Sequence, residues 1–221
     1  MILNELKKRI LTSIFLIILL ILMFSYLYIL IIALIIISLI AWIEFYGLIV
    51  KIFKEMNLKN TIIKFFFKIF SLIYISIFSL LIFNIKTQNI ELEIFLIFSI
   101  LVAITSDIGG LVFGKIFKGR KLTSISPNKT ISGAIGSFIF SLLLVPLLIK
   151  HFDAIPVINL VIITMLISIT SQLGDLLISL LKRKAKVKDT GDLLPGHGGI
   201  LDRIDGILFT IPVGLILFTI I

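Results

Sequence analysis

The chain has no cysteine, only two histidines, five prolines and one tryptophan among its 221 residues. Without a thiol there is no disulfide, no thiolate metal site and no cysteine nucleophile, and nothing about compartment follows. His151 and His197 are too few for a histidine-rich metal centre. Charge is scarce too, at 15% Asp, Glu, Lys and Arg, where soluble domains carry about 25%. Apolar residues make up 59% of the chain, and the mean hydropathy is +1.24. They come in long runs that a soluble fold would bury only with difficulty, so lipid is the expected solvent for most of the chain.

A spanning helix needs roughly 20 mostly apolar residues. That rule places seven spans, at 10–24, 26–43, 62–85, 92–113, 131–149, 156–181 and 204–221. The first two are short and closely joined, and read either as a tight hairpin or as one long bent element. Lys7, Lys8 and Arg9 ahead of an apolar stretch imitate a signal peptide. The stretch continues to about residue 43 with no small-residue cleavage site, so retained helices are expected.

The net charge of +9 could attract nucleic acid, but the basic residues are grouped between the apolar spans. They lie before span one, after span two (Lys51, Lys54, Lys59, Lys64) and after span four (Lys115, Lys118, Arg120, Lys121, Lys129). A last group between spans six and seven holds Lys182, Arg183, Lys184, Lys186, Lys188 and Arg203. The alternate connections carry only Lys86 and Lys150. An N-terminus inside puts every basic loop on the cytoplasmic side, as the positive-inside rule requires. The expected fold is therefore an all-α integral membrane protein, a polytopic bundle of about seven helices with a cytoplasmic N-terminus. It is read as a single membrane domain over 1–221, its N-terminal spans in 1–100 and its more polar spans and loops in 101–221.

Ionisable groups inside spans persist only where they face protein or water. In span six, Ser168, Gln172, Asp175, Ser179 and Lys182 recur at helical spacing and form one polar face that opens toward the most basic loop. Serines alone would read as helix–helix glue; the aspartate and lysine favour a functional face. Asp107, in Ser106-Asp107-Ile108-Gly109-Gly110, is a second intramembrane carboxylate. Glu44 is read as an interfacial carboxylate where span two emerges, with no part in a site.

The stretch 179–205 concentrates chemistry. Lys182, Arg183, Lys184, Lys186 and Lys188 make a cationic patch suited to a polyphosphate. Pro195-Gly196-His197-Gly198-Gly199 is a glycine-rich turn whose amides can face phosphate oxygens. Asp202 and Asp205, three apart, would share a face at the start of span seven and offer the hard oxygens that magnesium selects.

The stretch resembles the signature of the phosphatidate cytidylyltransferases (CDP-diacylglycerol synthases). Ser179, Lys182, Arg183, Lys188, Asp189, Pro195, Gly196, His197, Gly198, Gly199, Asp202, Arg203 and Asp205 stand where that pattern has its fixed residues. Gly174-Asp175 fits the Gly-Asp ahead of the serine. Ile125-Ser126-Pro127-Asn128-Lys129-Thr130 is similar to the family's Ser-Pro-x-Lys-Thr segment, with Gly133 and Gly136 following. The resemblance covers about 106–212. It departs at Gly110-Leu111, where the family has Ala-Tyr, and at Ile131-Ser132 after Lys-Thr.

The resemblance implies transfer of the cytidylyl group of CTP to phosphatidate. Asp175 and Asp202 would hold Mg2+, with room for a second cation, and Asp175, Lys182, Asp202 and Asp205 would form the catalytic group. Ser126, Lys129, Thr130, Ser179, Arg183, Lys188, His197, Gly198, Gly199 and Arg203 would contact substrate, His197 as a hydrogen-bond donor or a turn residue rather than a base. The expected partners are CTP, phosphatidate and membrane lipid, without nucleic acid; the sequence is compatible with a homodimer. The expected location is the cell (inner) membrane with the site on the cytoplasmic side. A CTP-dependent polyprenol- or phytol-type lipid kinase is the rival enzyme. A transporter is disfavoured because the two halves show no internal symmetry.

Overall fold

The computed structural model describes residues 2–88, 90–123, 126, 129–152 and 155–220, the side chains of 2–6, 90 and 91 excepted. Ile125, Pro127 and Asn128 of the upstream motif lie outside the described residues. Helices dominate: α1 (Ile2–Ser25), α2 (Leu27–Ile52), α3 (Leu58–Gln88), α4 (Ile90–Phe117), α5 (Ile131–Leu142), α6 (Leu144–Leu148), α7 (Val157–Lys184), α8 (Leu201–Ile204) and α9 (Ile207–Ile220). No strand forms among the described residues; Lys121 with Thr130 and Leu194 with Gly198 make isolated bridges. Seven helical segments are long and apolar enough to cross a membrane. Large apolar side chains such as Ile17, Ile32, Phe66, Ile73 and Ile158 stand exposed along them, as a lipid-facing surface requires. The chain is a multi-pass membrane protein.

Two compact units form, one from Met1–Thr87 with Leu181–Ile204, the other from Gln88–Leu180 with Asp205–Ile221. In the first, Tyr26 alone separates α1 from α2, its extended backbone (φ −129°, ψ 115°) breaking the helical run. One continuous helix would set residues 12 and 44 about 48 Å apart at 1.5 Å per residue. Thr12 and Glu44 instead bond the Pro195 carbonyl and the Ile200 amide, points no more than about 18 Å apart along an extended chain. The first two spans are thus a tight hairpin. α2 and α3 are joined by the Ser38–Ser79 hydroxyl pair at 2.6 Å, and Trp42 Nε1 donates to the Lys68 carbonyl at 3.1 Å.

In the second unit α4 packs on α5 and α9 through small residues. A Cβ on Gly109 would sit 2.3 Å from the Gly136 carbonyl oxygen, so the α4 and α5 backbones are in contact there. Around Phe98, Val102, Leu160, Ile163, Ile167 and Phe218 lies a packed core, where Phe95 stacks on Phe218 at 4.3 Å between centroids. Span five is interrupted after Leu142, because Pro146 has no amide to return to the Leu142 carbonyl. The second span also runs further than its apolar run suggests, to Ile52. Glu44 therefore lies inside a helix and is buried in protein, a burial that its place near the end of the apolar run did not indicate.

Candidate active site

α7 ends in a Schellman turn. Lys186 takes the left-handed conformation (φ 57°), the Val187 amide bonds the Lys182 carbonyl at 3.0 Å and the Lys186 amide bonds that of Arg183 at 3.1 Å. This closes the last helical carbonyls and sends the chain into the loop that carries Thr190 and the glycine turn. Gly196 and Gly198 have φ of 77° and 81°, values that glycine adopts without steric cost. They permit the tight turn in which the amides of His197 and Gly198 both bond the Leu194 carbonyl, at 2.9 and 3.1 Å.

The turn delivers Gly199 to Asp202. Asp202 Oδ2 accepts from the Thr190 amide at 2.8 Å, the Thr190 hydroxyl at 3.0 Å and the Gly199 amide at 3.1 Å. Oδ1 accepts from Lys182 Nζ at 2.5 Å. The Asp202 side chain is 3% exposed and that of Lys182 14%. A buried ion pair is tolerable only when its remaining lone pairs are satisfied, and here Oδ2 is fully engaged while Oδ1 keeps capacity beyond the lysine. The amides of residues 197–199 thus hold the loop together instead of standing open toward a phosphate.

His197 is engaged on both ring nitrogens: Nδ1 lies 2.7 Å from the Thr12 hydroxyl and Nε2 3.2 Å from that of Ser13. The Thr12 hydroxyl, whose proton goes first to the Lys8 carbonyl at 2.6 Å, also lies 3.2 Å from the Pro195 carbonyl, so α1 lies against the turn. Burial lowers the His197 pKa below its ordinary value, helped by the positive charges of Arg203 and Arg9 and opposed by the Pro195 carbonyl. Arg203 Nε donates to the His197 carbonyl at 3.1 Å, while Arg183 and Lys188 are exposed.

In the second unit, Asp175 on α7 accepts from Ser179 at 3.3 Å and pairs with Lys129 through Oδ2. Lys129 is placed by a turn in which its amide bonds the Ser126 carbonyl at 3.0 Å, and by bonding of Leu122 and Ile131 across the loop. Thr130 caps α5, its hydroxyl accepting from the Gly133 amide at 3.1 Å. The polar face of α7 is therefore of two kinds. Ser168 is fully buried in a seam with Ser106, at 3.0 Å, whereas Asp175 carries an ion pair and is part-exposed.

One expectation changes. Asp202 and Asp205 do not share a continuous helix face, because α8 ends at Ile204. Asp205 lies in the turn before α9, its Oδ1 accepting from the Gly206 amide at 2.8 Å, a local side-chain bond that competes with helix. Among the described residues no cluster of three or more His, Cys, Asp or Glu could hold a metal. Asp175 and Asp202 each offer a donor of the type magnesium takes, since Mg2+ uses one or two carboxylates and leaves the rest of its shell to phosphates and water.

The residues missed from sequence are Glu44, Thr190, Thr12 and Ser13. Glu44 accepts from the amides of Ile200 and Leu201 and from the Thr190 hydroxyl. The signal for it was present, as a carboxylate at the end of an apolar span; the hydroxyls offered none.

A polytopic helical protein with a buried lysine–carboxylate pair in a basic loop is a membrane protein with a polar centre. The chain belongs to the cytidylyltransferase family, whose model matches residues 3–221. It is 40% identical over 149 residues to the phosphatidate cytidylyltransferase of Staphylococcus saprophyticus, covering 66% of this chain and 56% of that protein. To the phosphatidate cytidylyltransferase of Bacillus subtilis it is 44% identical over 121 residues, covering 53% and 45%. The chain thus spans about half the length of the curated relatives it matches.

Proposed function

We propose that the protein transfers the cytidylyl group of CTP to phosphatidate, giving CDP-diacylglycerol and pyrophosphate. The observation that carries this reading is the buried Lys182–Asp202 pair, set within the stretch 179–205 that resembles the signature of the synthases. A phosphate oxygen of phosphatidate forms the new bond to the α-phosphorus, and the bond from the α-phosphorus to the bridging oxygen breaks as pyrophosphate leaves. Such displacements depend on positioning and charge neutralisation.

Asp175 and Asp202 are the proposed carboxylates for Mg2+, with a second cation accommodated alongside. When bound, such an ion neutralises negative charge on the phosphoryl oxygens. For Asp202 the available atom is Oδ1, because Oδ2 is spent on Thr190 and Gly199. Lys182 donates to that same oxygen and is proposed to neutralise charge on the same phosphate. Arg183 and Lys188, both exposed, are proposed to bind the triphosphate or the phosphatidate headgroup. Lys129 and Ser179, both on Asp175, are proposed to hold that carboxylate in its working orientation and to contact substrate. The grouping of basic loops supports a cytoplasmic N-terminus and site, where CTP arrives from water and phosphatidate from the leaflet.

The test is pyrophosphate release from CTP by purified protein in detergent, with phosphatidate and magnesium. Phosphatidate-dependent release with a CDP-lipid product is expected, and Asp202→Asn should abolish it. CDP with a phosphorylated lipid alcohol as the products would replace the synthase by a lipid kinase.

A further inference from the structure

We infer that Glu44, on α2 of the N-terminal hairpin, is a positioning residue for Asp202. A carboxylate buried in a spanning helix is costly unless donors satisfy it, and Glu44 is 8% exposed. Its donors are the Ile200 amide at 3.1 Å on Oε1, and the Leu201 amide and Thr190 hydroxyl, each at 2.8 Å, on Oε2. All three belong to the segment 190–201, so the carboxylate holds that segment and not its own helix.

The hold passes to Asp202 through Thr190. The Thr190 hydroxyl lies between Glu44 Oε2 and Asp202 Oδ2 with one proton to share, while its amide donates to Asp202. The approach leaves no spare room. A Cβ at Gly199 would come within 2.2 Å of the Thr190 hydroxyl and 2.3 Å of Glu44 Oε2, and one at Gly191 within 2.7 Å of Glu44 Oε1. Two glycines of the loop thus stand against the carboxylate that reaches into it. Without Glu44, Thr190 loses one of its two anchors and Ile200 and Leu201 lose theirs. The segment that carries the Thr190 and Gly199 donors is then held less firmly, and with it the orientation of the Asp202 carboxylate toward Lys182.

The consequence for turnover rests on the function proposed above; the hold on the loop does not. The experiment uses the full chain in detergent, with Glu44→Ala, Glu44→Gln and, as a control on the same helix, Ser38→Ala, which removes the bond to Ser79. Two quantities are read: amide hydrogen exchange over 190–202 and the CTP kinetics. Glu44→Ala should speed exchange at Thr190, Ile200 and Leu201 and lower kcat/KM by about 10- to 100-fold, the usual effect of losing a group that orients a ligand, chiefly in kcat. Glu44→Gln, which keeps a carbonyl acceptor, should recover part of both. Ser38→Ala should lower Tm and move neither. Should Glu44→Ala fail to fold, Thr190→Val removes the shared hydroxyl and is read the same way. Unchanged exchange in the Glu44 variants overturns the inference, as does a kcat loss matched by Ser38→Ala. If wild-type protein makes no CDP-lipid, the proposed function fails, and the exchange measurement still decides whether Glu44 holds the loop.

Discussion

His197 has a hydroxyl against each ring nitrogen and its pKa lowered first by burial, then by Arg203. The sign of the pH effect follows. With the folded pKa below the unfolded one, the unfolded chain takes up the proton first as pH falls, so the stability contributed by this site is complete above about 6.5 and is lost below it. The difference in Tm between wild type and His197→Gln is therefore expected to shrink as pH is taken from about 7.5 to about 5.5, on either side of that value. The same variant should keep measurable activity, since a ring tied to α1 is positional. Activity as low as that of Asp202→Asn would instead assign the ring a chemical part.

Helix contacts in the second unit are set by glycine. At Gly136 a Cβ would lie 2.3 Å from the Phe113 Cβ and 2.7 Å from the Gly109 carbonyl oxygen, and nothing on a rigid pair of helices can yield. Gly136→Ala is expected to cost about 1–3 kcal/mol, as overpacking does, read as a lower Tm in detergent. Gly47 on α2 has nothing within 4 Å of its Cβ position, so Gly47→Ala should be neutral or stabilise by up to about 1 kcal/mol from helix propensity. Equal losses at both positions would mean that propensity and not α4–α5 contact decides. α1 and α2 show a second kind of element-level effect. They are apolar spans by composition, yet Thr12, Ser13 and Glu44 along them support the loop.

For the molecule as a whole, the absence of cysteine makes single-cysteine labelling clean. If the basic loops face the cytoplasm, Lys186→Cys in whole cells should react with an impermeant maleimide only after the membrane is opened. Lys150→Cys should react without that step. The reverse pattern would invert the topology and place the Lys182–Asp202 pair on the outer side.

Much of this protein could be read from its sequence. Long apolar runs leave a chain in lipid no choice but to satisfy its backbone within helices, so seven spans were legible. Fixed spacing made the basic stretch and its aspartates legible too. The limits lie where contacts are distant in sequence. Hydropathy ended span two near Ile43, because a carboxylate scores as polar wherever it stands; only folding brought Glu44 to amides 156 and 157 residues away. Asp202 and Asp205 looked like partners on one helix by spacing, and the helix breaks after Ile204, where Asp205 turns to the Gly206 amide. Local sequence determined the solvent, the helices and the kinds of group present. The tertiary structure decided which donor meets which carboxylate, because that depends on close approach between segments whose spacing carries no record of it.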